Sequence, residues 1–332
     1  MQAKQWKIPG SAPPVSVYSE VERLGSASGM YTILPLTPTK LMSPTTKSRA
    51  APTLIMSILN ATPDSFSDGG VNAGDPNSLR TIAAAHIAAG ADIIDVGGQS
   101  SRPNAPDVSV EEEITRVLPA IAAIKSLPES ANIAISVDTY RAAVAEAAVN
   151  AGAHIVNDIS AGMMDAQMLP TVAKLGCTYV AMHMRGTPAT MQNPENLSYP
   201  AGVGFKKTIG LELKQRVDAA IAAGIRRWRI ILDPGIGFAK TQEQNLKLLR
   251  MDKFTRPGLK GLPHLYGSSR KGFIGKITGV EEPKDRVWGT AATVTAAIRS
   301  GADIVRVHDV KEMAQVAKMA DAIYRPSLEE AK

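Results

Sequence analysis

The sequence predicts one α/β domain, a (β/α)8 TIM barrel with an extended N-terminal linker. Three observations carry this. From Thr53 onward, short β-branched runs alternate with Ala-rich helical stretches, eight times over about 280 residues. A glycine ends several of those stretches just before the next apolar run: Ala-Gly-Ala at 89–91 and 151–153, Ala-Gly-Ile at 223–225, Ser-Gly-Ala at 300–302. That is where a helix C-cap belongs. No Gly-x-Gly-x-x-Gly follows the first strand, which counts against the doubly wound sheet, the structural alternative.

In order, the first strand is Leu54–Leu59, and the Ala-rich stretch Ser78–Ala89 closes at Gly90. Asp92–Val96 is the second strand and Val110–Lys125 its helix. Ile133–Val137 leads into Tyr140–Asn150, which ends before Gly152. His154–Val156 and Thr178–Met182 are strands four and five, and Phe205–Ala223 is the long helix before Gly224. Arg229–Leu232, His264–Tyr266 and Ile304–Val307 complete the eight. Arg286–Ser300 and Lys311–Tyr324 are the last helices.

Residues 1–51 read differently, so the organisation is a leader at 1–51 and a barrel at 52–332. The leader holds six prolines, with Ala-Pro-Pro at 12–14 and Leu-Pro-Leu-Thr-Pro at 34–38, and reads as an extended interdomain linker. It has no apolar core of a secretory signal. Two arginines and two glutamates are not the Arg-rich, acid-poor composition of a transit peptide. A cytoplasmic location is expected, with a mitochondrial one as the alternative.

Composition narrows the function. Apolar residues are 44% and aromatics only 5%, so the core is built from Ala, Ile, Val and Leu. The one cysteine, Cys177, lies in an apolar run and excludes a disulfide scaffold or a Cys-rich zinc site. No apolar stretch reaches the ~18 residues of a membrane-spanning helix, so no membrane partner is expected. The net charge is +6, but six basic and two acidic side chains in the leader supply +4 of it. No basic helix face or basic-aromatic alternation points to nucleic acid. A basic pocket for a small anion is left.

Active sites of such barrels form at the C-terminal strand ends. Those ends carry Asn60, then Gln99 to Arg102, Asp138, Asn157 and Asp158, His183 and Arg185, Asp233, Lys271, and finally Arg306 and His308. Singly, each reads as a helix-capping residue, and Asp158, Asp165 and Asp309 fit that reading well. Together they form a polar set that is costly to desolvate without a partner or ligand. Asp138, Asn157, Asp233 and Lys271 suit a flat, amide-like heterocycle. Asn60, Arg306 and His308 suit an anion, since guanidinium forks onto phosphate oxygens. Arg306 and His308 are two apart on a strand and share a face.

Seven ordered motifs resemble those of the dihydropteroate synthase family. They are Ile58–Gly70, Asp95–Pro103, Ser136–Thr139, Val156–Ser160, Asp233–Phe238, Ser269–Gly272 and Arg306–Asp309. The resemblance runs from about 53 to 325, and the leader resembles the linker before this domain in fused fungal folate-biosynthesis proteins. It implies a barrel that joins (7,8-dihydropterin-6-yl)methyl diphosphate, the pterin diphosphate, to 4-aminobenzoate with Mg²⁺ assisting. It puts Asp138, Asn157, Asp233 and Lys271 on the pterin. It puts Asn60, Arg306 and His308 at the diphosphate, with Asn60 also near the metal. Asp138, Lys271, Arg306 and His308 are the expected catalytic groups, and Arg102 joins the substrate-binding set. Ser101 stands where the family usually has Thr, keeping the hydroxyl. Gln99 replaces a commoner acidic residue, and Ala61 a commoner Val.

Several readings stay open at this level. His183 either lines the lumen or satisfies a backbone group, and Arg185 has no assigned role. Met182 packs on the pterin. Phe238 either contacts the aminobenzoate ring or is a barrel-rim hydrophobe. Tyr179 and Trp228 are core or helix-packing residues. A pterin-binding methyltransferase would share the heterocycle set without needing the Arg-x-His pair. A catalytically dead scaffold barrel is the reading from another class. The loops at 61–74 and 97–109 are expected to close over substrate. The small-residue stretch Gly289–Ile298 suggests a homodimer through the last helices. Fusion to other folate-pathway domains is expected from the leader.

Overall fold

A computed structural model describes residues 52–62, 75–99, 107–200, 202–254 and 257–325. The leader at 1–51, Ser101, Arg102 and most of the two loops at 61–74 and 97–109 lie outside the described residues. The described residues form eight strands: β1 (Leu54–Asn60), β2 (Ile93–Gly97), β3 (Ala134–Asp138), β4 (Ile155–Asp158), β5 (Thr178–Met182), β6 (Ile230–Asp233), β7 (Leu265–Tyr266) and β8 (Ile304–Val307). The helices of seven residues or more are α1 (Pro76–Ala88), α2 (Val110–Lys125), α3 (Ala142–Ala151), α4 (Met168–Leu175), α5 (Phe205–Ala222), α6 (Gln242–Leu249), α7 (Gly272–Thr278), α8 (Val287–Arg299) and α9 (Val310–Tyr324).

All strand pairs are parallel, in the order β6-β5-β4-β3-β2-β1-β8-β7. A parallel bridge between Leu232 and His264, with Leu232 N–H donating to the Pro263 carbonyl at 2.8 Å, joins the two ends. The expected barrel is thus present. The anticipated glycine ends hold as well: Gly90, Gly152, Gly224 and Gly301 have φ between 93° and 119°, which an L side chain rarely adopts.

Five strands run further than their apolar pattern and take in Asn60, Gly97, Asp138, Asp158 and Asp233. The ladder continues because backbone pairing is indifferent to the side chain: Asn60 pairs with Gly97, Gly97 with Asp138, and Asp138 with Asn157. Polar groups are thereby fixed on rigid strands.

The capping expectations need correction. Asp158 accepts from Ser160 N–H and Gly162 N–H and from the Tyr179 hydroxyl, each at 2.7 Å, so it ties a loop to the core. Asp165 accepts from the N–H of Ala142, the first residue of α3, whose own N-cap Arg141 makes no side-chain bond. Asp309 precedes α9 without capping it and instead takes a fork from Arg270 at 2.5 and 3.1 Å. Asp158 and Asp165 keep local donors, Ser160 and Gly162 for the one and Gln167 for the other, and add a longer-range one, while at Asp309 the longer-range guanidinium replaces the cap.

The core has two parts. One lies between strands and helices, where α2 buries Val117, Ala120, Ile121 and Ile124 at helical spacing and Cys177 is buried as expected. The other fills the lumen. Its floor is Met56, Ile93, Ala134, Ile155, Val180, Ile231, Leu265 and Ile304, one residue per strand. Strand side chains repeat every two residues. The next lumen tier is therefore Ile58, Asp95, Ser136, Asn157, Met182, Asp233, Gly267 and Arg306. Among the described residues no helix is long and apolar enough to cross a membrane.

Candidate active site

The second tier holds a connected charge network. Asp95, wholly buried, accepts through Oδ2 from Arg306 Nε at 2.6 Å and from Asn157 Nδ2 at 3.0 Å. Arg306 Nη2 reaches across to Asp138 Oδ2 at 2.6 Å. Burial pushes the Asp138 carboxyl up, opposed by Arg306 and reinforced by the Asp95 and Glu113 charges. Asp95 Oδ1 and Ser136 Oγ, on paired β2 and β3 positions, are buried with no partner among the described residues. Unmet buried polar atoms are expensive in a finished core, and these two lie on neighbouring strands in the same lumen tier.

Asp233 sits on the opposite wall. Its Oδ1 accepts from the Gly235 N–H at 2.7 Å. Burial pushes its carboxyl up to about 6, against that bond and the Lys271 charge. The turn requires its glycine: Gly235 has a φ of +70°, and a Cβ there would lie 2.0 Å from the His183 carbonyl oxygen. His183 N–H in turn donates to the Asp233 carbonyl at 2.8 Å, locking β5 to β6 at the mouth.

Joining this tier at Met182 is an apolar ledge that also holds Ile159, Met184, Met191, Phe238 and Ala239. Lys271 Nζ lies 4.1 Å from the centroid of the Phe238 ring, a cation–π contact. His308 Nδ1 is 3.1 Å from Ser269 Oγ. Asn60 ends β1, and its amide makes no hydrogen bond among the described residues.

The structure therefore brings Asp138, Asn157 and Arg306 into one network and sets Met182 and Asp233 in the same tier. Lys271 and Phe238 meet at the rim. Arg306 and His308 share a strand face, yet Arg306 is engaged by carboxylates and His308 by Ser269. Ser101 and Arg102 lie outside the described residues. Gln99 donates to Asp107 at 2.7 Å and lies 3.0 Å from the Tyr140 hydroxyl. A carboxylate there would face Asp107 with like charge.

Sequence reasoning missed Asp95 and Ser136. The signal was present, since Asp95 interrupts the apolar run Ile93–Val96 at the lumen parity. His183 and Arg185 turn away from the lumen. His183 Nε2 lies 2.7 Å from Glu212, and Arg185 forks onto the same carboxylate at 2.5 and 3.1 Å. Tyr179 is fully buried, as expected of a core residue.

Chemically, the tier offers carboxylate and amide acceptors to a flat molecule rich in N–H donors. Arg306 brings a cation into the same tier, and Lys271 and, when protonated, His308 add positive charge nearer the mouth.

Comparison with known proteins agrees with this geometry. Residues 56–308 match the family described as pterin binding enzyme. The chain is 49% identical over 282 residues to the folic acid synthesis protein fol1 of Pneumocystis carinii, covering 84% of this chain and 37% of that protein. It is also 49% identical over 282 residues to the dihydropteroate synthase of Synechocystis, covering 82% of this chain and 91% of that one. The crystal structure of Burkholderia cenocepacia dihydropteroate synthase complexed with 7,8-dihydropteroate superimposes with a TM-score of 0.71 at 36% identity, covering 82% of this chain and 91% of that one. The chain thus spans little more than a third of its fungal relative and nearly all of the bacterial ones.

Proposed function

The chain belongs to the pterin-binding enzyme family, among the dihydropteroate synthases, and on that premise we propose that it joins (7,8-dihydropterin-6-yl)methyl diphosphate to 4-aminobenzoate. The products are 7,8-dihydropteroate and diphosphate, which makes it a transferase of folate biosynthesis. The observation that carries this reading is the polar tier of Asp95, Asn157, Asp233 and Arg306 set on an apolar lumen floor.

The pterin ring lies in that tier, its N–H groups meeting Asp95, Asn157 and Asp233, with Met182 against its face. Asp138, one step nearer the mouth, stands by the exocyclic methylene. As the C–O bond to diphosphate breaks, positive charge develops on that carbon, and the Asp138 carboxylate stabilises it electrostatically. The arylamine of 4-aminobenzoate needs no strong base. It forms the C–N bond as a neutral nucleophile and gives up one proton. Phe238 flanks its ring. Lys271 binds the pterin edge, while Arg306 and His308 draw on the leaving diphosphate, with Ser101 and Arg102 beside it.

The residues present fit Mg²⁺. Asn60 offers a hard amide oxygen that no neighbour among the described residues occupies. This cation prefers phosphate oxygens, water and only one or two protein ligands. When bound, it neutralises diphosphate charge and so eases departure of the leaving group.

A homodimer through α8 and α9 is part of the reading. Trp288 on α8 is 86% exposed, and Met319, Ile323 and Tyr324 are exposed on α9, which packs against α8. Light scattering at about twice 35.1 kDa supports the pair. A mass of one chain at micromolar concentration contradicts it. Attachment to further folate-pathway domains is supported by the length of the fungal relative. A cytoplasmic location goes with this reading.

The experiment for the activity is a single turnover. Protein in excess over both substrates, with Mg²⁺, should convert them to dihydropteroate. Binding of both without product contradicts the enzyme reading.

A further inference from the structure

A second buried charge cluster lies outside the lumen, centred on Lys240, which is 3% exposed. Its Nζ is 2.9 Å from the Phe238 carbonyl oxygen, 3.3 Å from the His183 carbonyl oxygen and 3.1 Å from His183 Nδ1. An ammonium has three donors and no acceptor. Three acceptors converge on it, provided Nδ1 carries a lone pair.

The other side of the imidazole meets that condition. Nε2 lies 2.7 Å from Glu212 Oε2, which accepts and has nothing to donate. Burial, then the Lys240 charge, hold the ring down to about 4, so it is neutral at pH 7 with its one proton on Nε2. Burial raises the Glu212 carboxyl, but hydrogen bonds from His183 and Arg185 outweigh it and hold the group down to about 2. Arg185 also stacks 4.0 Å over the Tyr199 ring. The Tyr199 hydroxyl donates to the Ala239 carbonyl at 3.1 Å.

Two successive carbonyls, Phe238 and Ala239, are therefore pinned from this cluster. Ala239 is one of few non-glycine residues with left-handed backbone, at φ +46°. Such a conformation persists only when its surroundings over-determine it. Burying an ammonium among neutral acceptors is costly. Burial pushes the Lys240 ammonium down to about 7, against the Asp233 and Glu212 charges, and a methionine of similar length would fill the space more cheaply, so the amine is there for the carbonyls it holds.

We propose that Lys240 is a positioning residue: with the Nε2–H tautomer of His183 it sets the Phe238–Ala239 turn and so places the Phe238 ring, against which the Lys271 ammonium lies, at the barrel mouth. The inference rests on the reading above for what Phe238 and Lys271 face.

Two measurements test it. In ¹⁵N-resolved spectra of the full chain, His183 should show the neutral Nε2–H tautomer unchanged from pH 5 to 8. A ring protonated on Nδ1, or titrating near 6.5, overturns the proposal whether or not the protein is a synthase. In steady-state kinetics, Lys240→Met should raise the KM for 4-aminobenzoate about tenfold or more, with a smaller change for the pterin diphosphate and no fall in melting temperature. His183→Leu should reproduce this split. His183→Gln, which keeps a donor for Glu212 and an acceptor for Lys240, should restore near-normal values. Unchanged KM in Lys240→Met, or an equal loss in His183→Gln and His183→Leu, overturns it. If Lys240→Met fails to fold, the two His183 variants decide alone. Wild-type protein that forms no dihydropteroate contradicts the enzyme reading and leaves the tautomer measurement to judge this one.

Discussion

Ile231 and Asp233 point into the same lumen from the same strand, two residues apart, and obey opposite rules. Ile231 belongs to a floor with one apolar side chain from each strand, fully excluded from solvent. Asp233 belongs to a tier where carboxylates, an amide and a guanidinium satisfy one another only in part. The floor closes the barrel and needs nothing further. The tier is left incomplete by the protein's own groups, as a site for a polar ligand must be. Stability and chemistry are thus separated by one pleat of the strand.

The largest effect should come from moving the tier's chemistry down. Ile231→Asp places an unpaired carboxylate in the floor, costing several kcal/mol. The cooperative melting transition should disappear. A normal melt would show that the floor tolerates charge and that the two tiers are not distinct.

Next, Arg306→Met leaves Asp95 and Asp138 without their shared cation. Removing one member of a buried ion network costs about 3–5 kcal/mol, measurable as a lower denaturant midpoint. Replacing Asp95 and Asp138 by apolar residues in that background should recover stability, because the network exists for the ligand. Failure to recover would make it structural.

Asp138→Asn should leave the fold intact and lower kcat by about 10²–10³, the size of one lost electrostatic stabiliser. Pterin binding should fall much less, since Asn keeps an acceptor. Equal turnover would remove the cation-stabilising role.

The pH response is subtler, and stability and activity should move in opposite senses. Burial raises Asp138 and Asp233 above the ordinary carboxylate range. The folded state therefore holds protons that the unfolded chain has released. Their contribution to stability is fully present below the ordinary carboxylate value of 3.8 and is lost as pH rises through the folded values, about 6 for Asp233 and about 7 for Asp138. Activity should rise over that window as Asp138 ionises. Asp233→Asn should flatten its part of the stability slope, and an unchanged slope would count against a buried, proton-holding Asp233.

The fold was legible almost to the residue. β5, β8 and α2 begin and end where apolar runs and Ala-rich spacing put them, because both periods report burial directly. The strand-end residues were legible too, as polar groups following apolar runs. What the linear pattern concealed was partnership. Asp95 lay inside an apolar run and read as part of a strand, although its partners Asn157 and Arg306 come from β4 and β8. His183 was placed near the mouth, but its orientation depended on Glu212, 29 positions away on α5. Local capping rules misread Asp309 because Arg270, from another loop, is the stronger partner. Long-range ion pairs have no period, so no sequence window contains them.

If the charged tier holds the pterin, removing one of its acceptors must weaken binding. Asn157→Leu extends the apolar floor one tier upward without stranding a charge, since Arg306 still pairs with Asp95. Calorimetric titration of this variant with the pterin diphosphate, at fixed Mg²⁺, is the direct measurement. The melting temperature should be unchanged and binding weakened about tenfold or more, because ligand donors lose their acceptor inside a dry site. An unchanged Kd in a folded variant would place the pterin somewhere else.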